Sequence, residues 1–391
     1  MPAVEFKDVD IVFGGRRQAA LAMIDRGATR DEIIAATQSV PGAMKINLAV
    51  EPGEICVLMG LSGSGKSTIL RAVNRLNTVA RGGVFVEHEG RRVEVTNCDP
   101  ATLRAIRTRT VSMVFQQFAL LPWRTVRENI GFGLEIRGVV PDERRRIVDE
   151  QIALVGLGGW ADKYTYALSG GMQQRVGLAR AFAINGPILL MDEPFSALDP
   201  LIRDKLQDEL LSLQSKLRKT IIFVSHDLDE ALKIGNTIAI LEGGRIVQAG
   251  SAEDILLRPA DDYVAEFVKH MNPLNVLRGT SVMTPASKLK RVGGEVVIDT
   301  GEIRVAVDAD ERPVGVTLAG RKGSLATADG ESGTVAGDRY DMIVAPVDLT
   351  LRAAIALKRQ TDNPILLVDQ LGRLAGLCGD DEIYRSLLRR E

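Results

Sequence analysis

One stretch constrains this chain more than any other: GLSGSGKST, Gly60–Thr68. It fits G-x-x-x-x-G-K-[ST], follows the continuous apolar run EICVLM over 54–59 and precedes the helical run STILRAVNRL. A strand that turns through glycines into a helix leaves backbone N–H groups facing inward, clear of any Cβ. The helix N-terminus adds a partial positive charge at the same place. Together these make a cradle for phosphate oxygens, with Gly60, Leu61, Ser62, Gly63, Ser64, Gly65 and Thr68 as candidate nucleotide contacts. Lys66 is expected to reach the β- and γ-phosphates, and the Ser67 hydroxyl to ligate Mg²⁺.

The stretches TVSMVFQ (110–116), PILLMDE (187–193) and TIIFVSH (220–226) are short, continuous, largely apolar runs that end in polar residues. Continuous rather than alternating runs suit strands covered on both faces, as in a parallel sheet wrapped by helices. Helical patterns lie between them; Leu206, Leu210, Leu213 and Leu217 mark one core-facing stripe over 201–218. Residues 1–255 therefore read as an α/β domain with its ligand at the carboxyl ends of the strands. Asp192 ends one such strand and is expected to hold Mg²⁺ directly or through water. Glu193, next in line, is placed to polarise an attacking water. His226 ends a strand on the same sheet edge and is expected at the γ-phosphate.

A second anion site is legible in LSGGMQQRVGLARA, residues 168–181. Ser169 caps a helix, Gly170 and Gly171 leave N–H groups open, and Met172, Val176, Ala179 and Ala183 mark a buried face. This site has no lysine and no Mg²⁺ ligand of its own. Local chemistry does not say whose phosphate it takes.

The 49 basic and 51 acidic residues leave a net charge of −2, so the totals carry no basic face for nucleic acid. Three scattered cysteines, Cys56, Cys98 and Cys378, point to a reducing compartment without a disulfide frame or zinc site. The N-terminus lacks an apolar signal region, and no run approaches the roughly 18–20 apolar residues of a membrane span. Any membrane span is expected from other subunits.

Taken in order, GLSGSGKST, VFQQ, LSGGMQQR, ILLMDEP, SALD and VSHD resemble the motifs of an ABC-transporter ATPase over roughly residues 1–255. The resemblance implies a P-loop NTPase fold with a helical subdomain at about 117–180 and ATP and Mg²⁺ as cofactors. It further implies a head-to-tail homodimer in which LSGG of one chain closes over ATP held by the other. On that mapping Gln116 senses Mg²⁺ and the attacking water, Ser169 and Gly171 touch the partner's γ-phosphate, and Asp199 crosses the dimer interface. Phe13 is implied as the adenine-stacking aromatic; the alternative is a hydrophobic plug at the sheet's edge.

Residues 16–40 intervene between Phe13 and the phosphate loop and read as two short helices broken at Gly27, the second opened by a Thr29–Glu32 capping box. This insertion, with MGLSGSGKSTILRAVNRL and FQQFALLPWRTVRENIGFGLE, resembles the ATPases of importers for choline, glycine betaine and proline, the choline type most. Implied partners are two transmembrane permease subunits and, indirectly, a periplasmic or extracellular substrate-binding protein, with the chain peripheral on the cytoplasmic face. The segment FALLPWRTVRENI is expected to form the groove for a permease helix, or else plain core.

Beyond about residue 278 the texture shifts to short strands and turns, so a boundary is expected there, with an α+β regulatory domain over 279–391. Its close, DNPILLVDQLGRLAGLCGDDEIYRSLL, resembles the second half of a cystathionine-β-synthase-type (CBS) module at about 346–391; the first half is not recognisable in 280–345.

Overall fold

The computed structural model describes residues 1–269, 272–298, 302–328, 334–335, 337 and 339–388. They form two compact units, Met1–Val264 and Ala265–Glu391. The division falls earlier than 278 because the intervening residues already bond within the second unit. There, Leu351 N donates to Leu277 O at 2.7 Å and Gly279 N to Leu349 O at 2.8 Å.

The first unit holds ten strands: β1 (Val4–Phe13), β2 (Val40–Val50), β3 (Ile55–Met59), β4 (Arg81–His88), β5 (Arg91–Glu94), β6 (Val111–Val114), β7 (Ile188–Asp192), β8 (Thr220–Val224), β9 (Thr237–Glu242) and β10 (Arg245–Gly250). One sheet runs β2-β1-β4-β5; the other runs β10-β9-β3-β8-β7-β6, with β3, β6, β7, β8 and β9 parallel. Every residue of β3, β7 and β8 is buried, which is why their sequences are apolar without alternation. The phosphate-loop strand β3 lies inside this sheet, flanked by β8 and β9. Ile69, Leu70 and Val73, just beyond the loop, join the core formed by both sheets and so fix the cradle to the scaffold.

The helices Val126–Ile136, Pro141–Leu154 and Gly170–Ile184 share a separate core around Ile130, Val148 and Val176. Val176, Ala179 and Ala183 are buried and Met172 packs beside them, the face expected from the sequence. The helix Pro200–Leu217 buries Leu206 and Leu210 but leaves Leu217 half exposed at its end, so the core stripe is shorter than its leucines; the Leu213 side chain lies outside the described residues.

Helices Arg17–Asp25 and Arg30–Thr37 form the insertion, and the second carries the Thr29–Glu32 capping box. Phe13 pairs directly with Val40 across β1 and β2. The chain therefore leaves and re-enters the sheet at one point, and Phe13 keeps its place beside the phosphate loop.

In the second unit, β11 (Thr284–Pro285), β12 (Lys290–Val292), β13 (Glu295–Ile298), β14 (Ile303–Val307), β15 (Pro313–Leu318) and β16 (Arg321–Lys322) precede β17 (Leu325–Thr327), β18 (Met342–Pro346), β19 (Ile365–Val368) and β20 (Leu374–Cys378). Strands β12 to β16 are an antiparallel meander, and β11-β20-β19-β18-β17 form a mixed sheet sharing a core with it through Val296, Val305, Met342 and Leu366. Helix Leu351–Lys358, β19, a turn, β20 and helix Asp380–Leu388 follow the order expected for the tail. Asp369 builds the turn by accepting from the N–H groups of Leu371 and Arg373.

Candidate functional site

Two glycines of the phosphate loop have no substitute. Gly60 has φ +141° and Gly65 φ +105°, and a Cβ on either would lie 2.2 Å from a carbonyl oxygen, of Leu241 and Gly42 respectively. Lys66 is buried, and its Nζ donates to Gly60 O at 2.8 Å and Leu61 O at 2.9 Å. Burial pushes its ammonium below the ordinary value, against the opposing pull of the Glu193 and Asp192 carboxylates. The ammonium is thus held by two loop carbonyls within the field of the Asp192 and Glu193 carboxylates.

Asp192 is wholly buried at the end of β7. Ser67 Oγ donates to its Oδ1 at 2.6 Å, and Arg71 Nη2 to its Oδ2 at 2.9 Å. Arg71 was not among the residues expected from the motifs. Its signal is its position one turn after Ser67, on the same side of the phosphate-loop helix. A buried carboxylate is tolerable here because both its oxygens are met, one by a charge.

Glu193 follows at φ +47°, a left-handed backbone that a glutamate adopts only under tertiary constraint. Its Oε2 accepts from Gln116 Nε2 at 3.1 Å and lies 3.5 Å from His226 Nδ1. The three expected catalytic side chains thus meet at one oxygen. A cavity of about 490 Å³ joins Phe13, Val40 and Gly42 to Ser62, Gly63, Gly65, Lys66, Ser67 and Thr68, and to Gln116, Glu193 and His226. Phe13 is 45% exposed at its rim, and Gly42 is kept small by it, since a Cβ there would lie 2.7 Å from the ring.

Ser169, Gly170, Gly171 and Asp199 do not line that cavity. Ser169 Oγ instead accepts from Met172 N at 3.4 Å as the N-cap of Gly170–Ile184. Asp199 holds the N-cap position of Pro200–Leu217 without a side-chain cap bond. Two further residues of the helix Gly170–Ile184 tie it to the catalytic edge. Buried Gln174 donates to Glu193 O at 3.3 Å and accepts from Ala197 N at 3.2 Å. Arg180 donates to Ala119 O and Phe118 O, both at 2.7 Å, pinning two left-handed residues just after Gln116. Neither was legible in the sequence, because each acts on backbone atoms far along the chain.

This arrangement, a phosphate loop beside a carboxylate held by an amide and an imidazole, suits hydrolysis of a nucleotide's terminal phosphate. The family model for ABC transporters matches residues 43–196. The glycine betaine transport ATP-binding protein of Bacillus subtilis is 40% identical over 96% of this chain and 90% of its own. The chain belongs to the ABC-transporter ATP-binding subunits. Within that family it falls among the quaternary-amine importer ATPases. A glycine betaine/proline betaine ATP-binding protein of Salmonella typhimurium is 38% identical over 99% of this chain and 98% of its own. A dimeric ATP-binding cassette solved with ADP and phosphate is 30% identical, with a TM-score of 0.55, over 63% of this chain and 98% of that one. The member described here is an ATPase whose hydrolysis is coupled to transport. No helix among its described residues is long and apolar enough to cross a membrane.

Proposed function

We propose that the chain energises import of a quaternary amine of the glycine betaine or choline type, as a homodimer with two shared ATP sites. It would work at the cytoplasmic face of the membrane, beneath two permease subunits served by a substrate-binding protein. The observation that carries the catalytic reading is the meeting of Gln116, His226 and Glu193 at one carboxylate oxygen, in the cavity that holds Lys66. Glu193 is the general base, Gln116 positions the water against it, and His226 contacts the γ-phosphate. Phe13 stacks the adenine at the rim.

Ser67 and Asp192 are hard oxygen donors and fit Mg²⁺, with Gln116 as a further contact. The ion, when bound with nucleotide, neutralises charge on the phosphates. Ser169, Gly170, Gly171 and Asp199 lie outside the cavity of their own chain, and this favours their serving the partner's ATP. A mostly apolar hollow of about 350 Å³ bounded by Met113, Phe115, Leu121, Phe132, Ile136 and Ala181 supports a groove for a permease helix after Gln116. The solute class follows the two relatives that align over nearly the whole chain.

Vesicles carrying this chain with its permease and binding protein test the transport reading. Glycine betaine or choline should stimulate ATP hydrolysis there; stimulation by an uncharged amino acid such as leucine, and by neither amine, contradicts it.

A further inference from the structure

A second cation stands at the phosphate loop, outside every motif. Arg30 opens the insertion helix Arg30–Thr37, and its Nη1 donates to the Gly63 carbonyl at 2.5 Å. It lines the same cavity as Phe13, Lys66 and Glu193. Its Nε is buried without a hydrogen-bond partner among the described residues. The helix that presents it is firmly seated: Ile33, with Ala20 and Ile24 of the preceding helix, packs on Val12 and Met44 of β1 and β2.

A guanidinium carries five N–H donors in a planar fork suited to phosphate. Here one donor is taken by a loop carbonyl and another is withheld from water with nothing to bond. The guanidinium is only partly buried, so its remaining N–H groups can turn to an anion in the cavity that Arg30 lines. The cavity it faces is already built for a polyanion. We infer that Arg30 is a second cationic contact for the phosphate chain of the bound nucleotide, so that the insertion becomes part of the nucleotide site. This rests on the reading of Lys66 and its loop as the ATP site.

The rival role is mechanical: Arg30 only braces the loop through Gly63. Equilibrium binding of ATP and of adenosine to the full-length chain, at low and high salt, separates the two. Arg30→Gln keeps an N–H for Gly63 but no charge. It should weaken ATP about tenfold, flatten the salt dependence and leave adenosine unchanged, while Arg30→Lys recovers most of the loss. ATP affinity and salt slope unchanged in Arg30→Gln overturn the inference. So does an equal loss for ATP and adenosine. Lys66→Ala run alongside keeps the underlying reading separate: undiminished ATP binding by that variant condemns the site assignment itself, whatever Arg30 does.

Discussion

Glu193, the general base in our proposal, has its backbone at φ +47° and both Gln116 and His226 at its Oε2. Replacing it by Gln keeps the shape and removes the base. Steady-state hydrolysis should fall by about 10²–10⁴ while ATP binding persists and the dimer becomes stable enough to isolate. Rapid turnover by Glu193→Gln would remove it as the base. Arg71 makes a different contribution, since it answers the buried Asp192 at 2.9 Å. Arg71→Ala leaves that carboxylate with Ser67 alone and should cost about 2 kcal/mol, less than a fully buried pair because Arg71 itself is partly exposed. Chemical denaturation would detect the loss, and Arg71→Lys should recover part of it. Lys66, Asp192 and Glu193 could be read in the sequence because phosphate and metal chemistry demand those residue types at fixed spacing. Arg71 had only its place one turn after Ser67 as a signal, and Arg30, Gln174 and Arg180 had none, because each is defined by what it reaches across the fold.

Secondary elements followed their local rules closely where burial was two-sided. The runs at 187–193 and 220–226 became β7, Ile188–Asp192, and β8, Thr220–Val224. The insertion helix starts where its capping box begins, and Thr29→Ala should cost about 1 kcal/mol of stability. A thermal shift indistinguishable from zero would mean that packing alone holds that helix. Just before β8, Lys219 Nζ donates to Gly186 O at 2.6 Å, and burial pushes its ammonium down to about 8. An unfolded lysine titrates near 10.4. Between those values the unfolded chain binds more protons, so this residue makes stability rise with pH from about 8 to about 10.4. Denaturation midpoints of Lys219→Met should lack that part of the rise; identical slopes in both proteins contradict the assignment. On Pro200–Leu217 the expected leucine stripe reaches past the core to half-exposed Leu217, since periodicity marks a face but not where the core beneath it ends.

At the scale of the molecule, two units divide near Val264, and the helix Asp262–Val268 runs across the division. The regulatory assignment of the second unit remains our proposal, with β18 to β20 and their two helices as its CBS-like half. Within 280–345 stands instead the antiparallel meander β12 to β16. Hairpins with short, weakly apolar strands left no helical period to read there. A chain ending at Lys269 keeps that helix and should retain basal ATPase activity; loss of folding would show that the units are interdependent. On our proposal the site lined by Lys66 and Glu193 is completed by Ser169 and the helix Gly170–Ile184 of a partner. The most direct measurement mixes two inactive chains, Ser169→Arg and Lys66→Ala, and assays ATP hydrolysis. One composite site is intact in each mixed dimer, so mixing should restore activity that neither variant has alone; a mixture as inactive as its parts, with mixed dimers shown to form, would contradict the shared site.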